Sequence, residues 1–115
     1  MFAATVNGCW NGDPNYPVWG NPDGGNAFVD YIDLSSAYQE ENRVFVITIT
    51  VAGKGYRTGE VVRRNQIKFV IEGNHRVWAS PKIMFDPDSD YNEGDPWHAY
   101  RKLFLILDEE IGIKR

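Results

Sequence analysis

The sequence predicts a single α+β domain, spanning residues 1–115, in which an antiparallel β-sheet is covered on one face by a C-terminal α-helix. Alternating apolar residues at 43–52 and again at 66–72 predict two of the strands. Apolar residues at helical spacing near the C-terminus predict the helix. In chain order we expect an ordered loop rich in Gly, Asn and Pro at 1–27, the sheet at 28–85, an acidic loop at 86–95 and the helix at 96–111.

Bulk composition limits the classes of function. A chain of 115 residues buries enough surface to fold without a metal or a disulfide, and no cofactor is predicted. The net charge of −4 and the pI near 5.1 argue against a nucleic-acid partner, because phosphate binding needs clustered basic residues. The longest apolar run, at 103–107, is too short to cross a membrane, so no membrane partner is predicted.

The cysteine content predicts the compartment. Cys9 is the only cysteine and cannot form an intrachain disulfide, so the fold does not need an oxidising compartment. We therefore expect a cytoplasmic location, with secretion after removal of a leader left open.

Aromatic residues are interleaved with turn-forming residues in the N-terminal loop, which predicts an ordered loop and not a disordered linker. Such rings can stack on a sugar while neighbouring amides bind its hydroxyl groups. The same rings are equally suited to packing the loop onto the sheet. The candidate ligand-binding residues are Trp10, Tyr16, Trp19 and Asn21.

The strand at 43–52 is predicted to seed the core, with its odd-numbered residues on the buried face. Its β-branched residues disfavour a helix. Full burial of one such apolar side chain stabilises a fold by roughly 1.5–3 kcal/mol. The residues expected on the buried face are Phe45, Ile47, Ile49 and Val51.

A strand at 28–38 is predicted to pair with the strand at 43–52 across a loop at 39–42, because this pairing aligns apolar residues on one face. A helix that begins after Asn26 is the competing prediction for this stretch. The predicted register pairs Leu34 with Ile47 and Ile32 with Ile49.

The second predicted hairpin joins 66–72 to 75–80 through a turn of Gly73 and Asn74, a length typical of hairpins. A short strand at 56–63 precedes this hairpin. An edge strand is predicted at 82–85, since Pro81 cannot donate to a ladder. The predicted register places Phe69 opposite Trp78 and Val70 opposite Val77.

Boundary signals support the helix. Asp95 is a carboxylate N-cap before Pro96, and Gly112 can occupy the position that ends the helix. A strand at 103–107 is the competing prediction, and the acidic residues at 108–110 oppose the helix dipole. The apolar arc of the helix is wide enough to be covered on more than one side. The candidate residues for a homodimer interface are Tyr100, Phe104 and Leu107.

Carboxylates at alternate positions of the acidic loop form a candidate metal site, because this spacing converges oxygen ligands on a hard cation such as calcium. The candidate ligands are Asp86, Asp88 and Asp90. However, Tyr91 and Trp97 occupy the positions where an EF-hand needs its glycine and its bidentate glutamate. A solvated acidic turn is therefore the favoured interpretation.

No catalytic residue is assigned from the sequence, which makes a non-enzymatic function the favoured hypothesis. The leading hypothesis is a small acidic accessory or inhibitory factor that binds a partner protein or itself. The alternative is a carbohydrate-binding or small-ligand-binding module that uses the N-terminal aromatic residues. A weaker alternative is a small hydrolase or transferase built on Cys9 or His98. The basic pair Arg63 and Arg64 is expected on an exposed strand face, facing an acidic partner or solvent.

Overall fold

The computed structural model describes residues 9–20, 28–52, 60–73, 75–80, 83–89 and 96–115. These residues form a six-stranded, predominantly antiparallel sheet and a C-terminal helix, and adjacent strands in the chain are also neighbours in the sheet. The strands and the helix are β1 (Val18–Gly20), β2 (Phe28–Glu40), β3 (Arg43–Ala52), β4 (Val61–Gly73), β5 (Arg76–Ala79), β6 (Ile83–Phe85) and α1 (Pro96–Ile111).

The chain divides into two compact units. The first unit comprises Met1–Ser36 and Val46–Gln66, and the second comprises Ala37–Phe45 and Ile67–Arg115. The long strands β2, β3 and β4 each contribute residues to both units. Each unit has buried residues of its own.

A small apolar cluster forms the core of the first unit. Val29 and Tyr31 of β2 meet Ile49 and Val51 of β3, and all four side chains are buried. The hydroxyl group of Thr50, also buried, donates a hydrogen bond to the carboxylate of Asp30. Since a buried hydroxyl without a partner would destabilise the strand, this bond allows a polar residue inside an apolar run. The partly buried side chains that pack against the cluster are Trp10, Tyr16 and Val61.

The chain before β1 closes on itself in a short turn. Cys9 and Pro17 form an isolated antiparallel bridge, and the Trp10 N–H donates to the Tyr16 carbonyl at 3.0 Å. Within the predicted loop, Val18–Gly20 form a strand instead, because Val18 pairs with Tyr31 of β2. Residues 1–8 and 21–27 of that loop lie outside the described residues.

Three phenylalanine rings form the core of the second unit. Phe69 of β4, Phe85 of β6 and Phe104 of α1 meet edge to face, with centroid distances of 5.4–6.0 Å. Leu103 and Leu107 of the same helix are also fully buried. The predicted C-terminal helix is confirmed, with Phe104 in contact with rings of β4 and β6, and the competing strand at 103–107 is wrong.

The C-terminal end of α1 compensates for its acidic last turn. Gly112 has φ 64° and donates to the Asp108 carbonyl at 2.8 Å, so it ends the helix as predicted. The Asp108 carboxylate accepts a hydrogen bond from the Ile113 N–H at 2.9 Å, which offsets its unfavourable place in the helix dipole. Asp95, the predicted N-cap, lies outside the described residues.

The predicted burial of β3 is wrong in its first half. Phe45 and Ile47 are only partly buried, whereas Val44 and Val46 are fully buried. From residue 48 to residue 51, both parities of the strand are buried. Because apolar residues occupy both parities of 43–52, alternation alone could not identify the inner face.

Three details of the predicted hairpins are also wrong. The loop at 39–42 is a two-residue turn, since β2 continues to Glu40 and β3 begins at Arg43. The register of that hairpin stays a prediction.

The two strands predicted at 56–63 and 66–72 are, over the described residues, the single strand β4. Polar residues in the middle of this strand are exposed and do not interrupt it.

The third correction concerns the pairing of β4 with β5, which is one residue away from the predicted register. The observed pairs are Phe69 with Ala79, Val70 with Trp78, Ile71 with Val77 and, after an irregularity, Gly73 with Arg76, so Gly73 lies in β4 and not in the predicted turn. This register places buried residues opposite buried residues. The predicted register would instead place the buried Phe69 opposite the half-buried Trp78. The predicted edge strand is confirmed as β6, at Ile83–Phe85.

Candidate functional site

Two carboxylates of the turn after β6 lie against the residue that precedes β5. His75 Nδ1 is 3.5 Å from Asp86 Oδ1 and 3.3 Å from Asp88 Oδ2. A hydrogen bond within the turn stabilises it, since the Asp88 N–H donates to Asp86 Oδ1 at 2.9 Å. One ligand atom from each of the three residues lies within 4.8 Å of the others. This geometry brings together two of the three predicted metal ligands and adds a histidine.

Arg115 supplies a positive charge to this cluster from within the chain. Its Nη1 donates to both carboxylate oxygens of Asp88, at 2.8 and 3.0 Å, and its Nη2 lies 3.5 Å from Asp108 Oδ2. Hydrogen bonding from Arg115 lowers the pKa of the Asp88 carboxyl, with a smaller contribution from His75. The same bond raises the pKa of Arg115. A divalent cation at Asp88 would have to displace or neighbour this guanidinium, which electrostatic repulsion opposes.

Local sequence patterns predicted the two aspartates of this cluster but not its other members. His75 and Arg115 are remote in the chain from the acidic loop, and only the fold brings them to Asp88. Asp90, the third predicted ligand, lies outside the described residues. The calcium site stays a prediction, and a calcium-dependent rise in melting temperature, absent with magnesium, would support it.

The N-terminal aromatic residues are engaged with the core of the first unit. The rings of Trp10 and Tyr16 meet edge to face, with centroids 5.2 Å apart and planes at 89°. Both pack against the buried cluster of β2 and β3. Trp19, in β1, is half-buried, and Asn21 lies outside the described residues. A flat stacking surface would need a different ring geometry from that of the Trp10 and Tyr16 pair.

Amide groups near these rings are also committed. The Asn15 side chain donates from Nδ2 to Asp33 Oδ1 at 2.8 Å and accepts at Oδ1 from the Ser35 N–H at 2.8 Å. Asn15 therefore fastens the N-terminal turn to β2. These contacts favour the packing interpretation of the N-terminal residues, and sugar binding by them stays a prediction.

The predicted interface residues on α1 lie mainly in the core of the second unit. Phe104 and Leu107 are both 0% exposed in the single chain, and Tyr100 is half-buried. A partner could not reach Phe104 or Leu107 while α1 is packed on the sheet. The wide apolar arc of α1 is therefore explained by packing within the chain, and a homodimer interface on these two residues is not needed to cover it.

Cys9 has the environment of a buried structural cysteine. It is 1% exposed, and burial raises the pKa of its thiol, with a further contribution from the charge of Asp13. A raised pKa lowers the fraction of nucleophilic thiolate. The side chain of His98 lies outside the described part of the helix.

The most exposed stretch of described sheet is residues 62–66 of β4, which we call the β4 edge segment. All five residues of this segment are exposed, and Val62 is 55% exposed. The segment follows the point where Ala52 of β3 donates to the Glu60 carbonyl, at 3.3 Å. On the other side of β4, the pairs with β5 begin at Phe69, and the Ser80 N–H donates to the Lys68 carbonyl at 3.0 Å, two residues beyond the segment. Over the described residues, the β4 edge segment therefore has a neighbouring strand on the β3 side alone.

Comparison with known proteins adds no family to these observations. No protein-family model matches the chain, and no match is found among curated proteins or solved structures. Among the described residues, no helix has both the length and the hydrophobicity needed to traverse a bilayer.

Proposed function

We propose that the protein is a small, non-enzymatic protein-binding domain, an accessory or inhibitory factor that acts through an exposed surface of its first unit. The observation that carries this proposal is the exposure of the whole β4 edge segment. A strand edge without a neighbour presents unpaired backbone N–H and C=O groups, which another chain can pair with.

The side chains of this segment also favour protein contact. Val62 is a large apolar residue exposed next to the charged pair Arg63 and Arg64. An apolar residue beside arginines is a combination common in protein interfaces, where arginine is enriched. The segment thus offers backbone, apolar and charged contacts within one short stretch.

The other two hypotheses have less support. Packing of Trp10 and Tyr16 on the core leaves less of their ring surface for stacking on a sugar. Burial of Cys9 and the raised pKa of its thiol disfavour a nucleophilic role. Neither alternative therefore replaces the protein-binding proposal.

Position-specific photocrosslinking tests the proposal. A photoreactive amino acid is placed at Val62 and, as the matched control, at Met84, which is also an exposed apolar strand residue. We expect one partner protein to crosslink through position 62 and not through position 84, and to rebind when both proteins are purified. The proposal is wrong if no partner depends on position 62, or if the purified proteins do not associate.

A further inference from the structure

We infer that the β4 edge segment receives an acidic, extended segment of a partner protein, which adds to the sheet as a further strand. This inference rests on the proposed function and specifies the chemistry of the partner. It depends on three observations: the exposed edge of β4, two arginines that form no ion pair with a described residue, and the excess of their charge over that of the neighbouring Glu60.

The open edge determines the conformation of the occupant. The β4 edge segment is continuous with a regular strand, and the described part of the chain places a neighbouring strand on its β3 side only. Backbone groups on an unpaired edge are satisfied by another strand or by water. An extended peptide satisfies them in sequence, whereas a helix has its own backbone groups already paired.

The arginines determine the charge of the occupant. Arg63 and Arg64 are the only cations among the described residues of the first unit, and neither forms an ion pair with a described residue. Glu60, exposed nearby, offsets only one of these two charges. The part of β3 in this unit, 46–52, carries no charged residue. An approaching carboxylate therefore meets an excess of positive charge at the segment itself, whereas the other charged residues described in this unit, Asp13, Asp30 and Asp33, are acidic.

A second copy of the chain is a poorer occupant. Antiparallel pairing of two identical β4 edge segments would bring Arg63 and Arg64 of one copy next to those of the other. Like charges placed opposite each other across a strand pair are destabilising. Charge complementarity thus selects an acidic partner strand over self-association.

The test uses synthetic peptides and hydrogen exchange on the full chain. The probe is a peptide of alternating Glu and Val, compared with a peptide of alternating Lys and Val and with an acidic peptide in which prolines interrupt the strand. We expect the acidic peptide alone to slow amide exchange at 62–66 and to bind about tenfold or more weakly when salt is raised. The prolines remove backbone donors, so the interrupted peptide should not bind.

Charge reversal provides the matched variants. Arg63→Glu/Arg64→Glu should lose the acidic peptide and gain the Lys peptide. Arg43→Glu/Lys102→Glu reverses two exposed cations elsewhere and should leave peptide binding unchanged. Circular dichroism on both variants verifies that the chain is folded.

Several outcomes would overturn the inference. These are slow exchange at 62–66 in the unbound chain, equal binding of all three peptides, no binding of any peptide, or binding unchanged by the reversal at 63 and 64. If position 62 still crosslinks a purified partner whose contact segment is basic or helical, the inference fails while the proposed function stands. If no partner crosslinks, both fail.

Discussion

Nη1 of Arg115 donates hydrogen bonds to both carboxylate oxygens of Asp88, at 2.8 and 3.0 Å. The same guanidinium lies over the ring of Phe104, 5.6 Å from its centroid. One side chain therefore joins the turn after β6 to the aromatic core of the second unit. Gln39 adds a further attachment, because its amide donates to the Lys114 carbonyl at 2.7 Å and accepts from the Lys114 N–H at 2.8 Å.

The pairing of Arg115 with Asp88 predicts a specific dependence of stability on pH. The pKa of Asp88 is lowered in the folded chain, so the pair stabilises the fold above the ordinary aspartate pKa of about 3.9. This contribution is lost as pH falls through the lowered pKa of Asp88. We expect Asp88→Asn to flatten the fall in urea midpoint between about pH 5 and pH 2. Asp88 is exposed, so the effect is small and salt reduces it.

The control for this experiment is Glu109→Gln, which neutralises an exposed carboxylate on the same helix as Asp108. That variant should keep the native dependence on pH. Identical pH profiles for the native chain and for Asp88→Asn would contradict the assigned role of the pair.

The burial of Phe104 predicts a large loss of stability on truncation. Phe104→Ala should lower the free energy of unfolding by about 3–5 kcal/mol, because it leaves a cavity between two other rings. Met84→Ala, at a residue 42% exposed, should change it by about 0.5 kcal/mol or less. Denaturant titration at two protein concentrations measures both. If the native chain is instead less stable at the lower protein concentration, Phe104 lies in an interface between copies.

The positive φ of Gly112 predicts that its substitution lowers stability through backbone conformation alone. Its φ is 64°, and a Cβ there would meet no atom within 4 Å, so Gly112→Ala introduces strain without a steric clash. We expect a loss of about 1–2 kcal/mol, the usual cost of the left-handed conformation for a residue with a side chain. Gly73→Ala is the matched control, since a Cβ at that position also meets open space and no positive φ is involved. Equal losses in thermal denaturation would contradict this account.

The parts of the fold that could be predicted are those with local signals. Pro96 and Gly112 mark the ends of α1, and helical spacing of apolar residues marks its length, so the bounds agree with the structure. The register of β5 could not be predicted, because Gly73 belongs to β4 and pairs with Arg76, which moves the turn along the chain, and the irregularity between Ile71 and Gly73 then changes the register by one residue in the opposite direction. The inner face of β3 was ambiguous because both parities are apolar.

Candidate sites were less predictable than elements because they depend on tertiary contacts. Asp86 and Asp88 were visible as an acidic run, but His75 and Arg115 reach them only through the fold. The exposure of Arg63 and Arg64 followed from strand alternation and charge. Their position beyond the described pairs of β4 with β5 depends on where β5 ends, which only the structure shows.

Substitution of Asn15 tests whether the amide of this residue, or the packed rings of Trp10 and Tyr16, hold the N-terminal turn in place. Asn15→Ala removes the acceptor of the Ser35 N–H and the donor to Asp33, so it should lower the free energy of unfolding by about 1–3 kcal/mol. Asn15→Asp keeps the acceptor but places a second carboxylate beside Asp33, so it should cost at least as much near neutral pH and less at a pH where both carboxyls are protonated. Urea titration followed by tryptophan emission measures both variants, and Trp10, packed within this turn, provides the signal. A loss below about 0.5 kcal/mol for both variants would mean that the Asn15 side chain does not fasten the turn, which ring packing and the backbone hydrogen bonds from Ile32 and Leu34 then hold on β2.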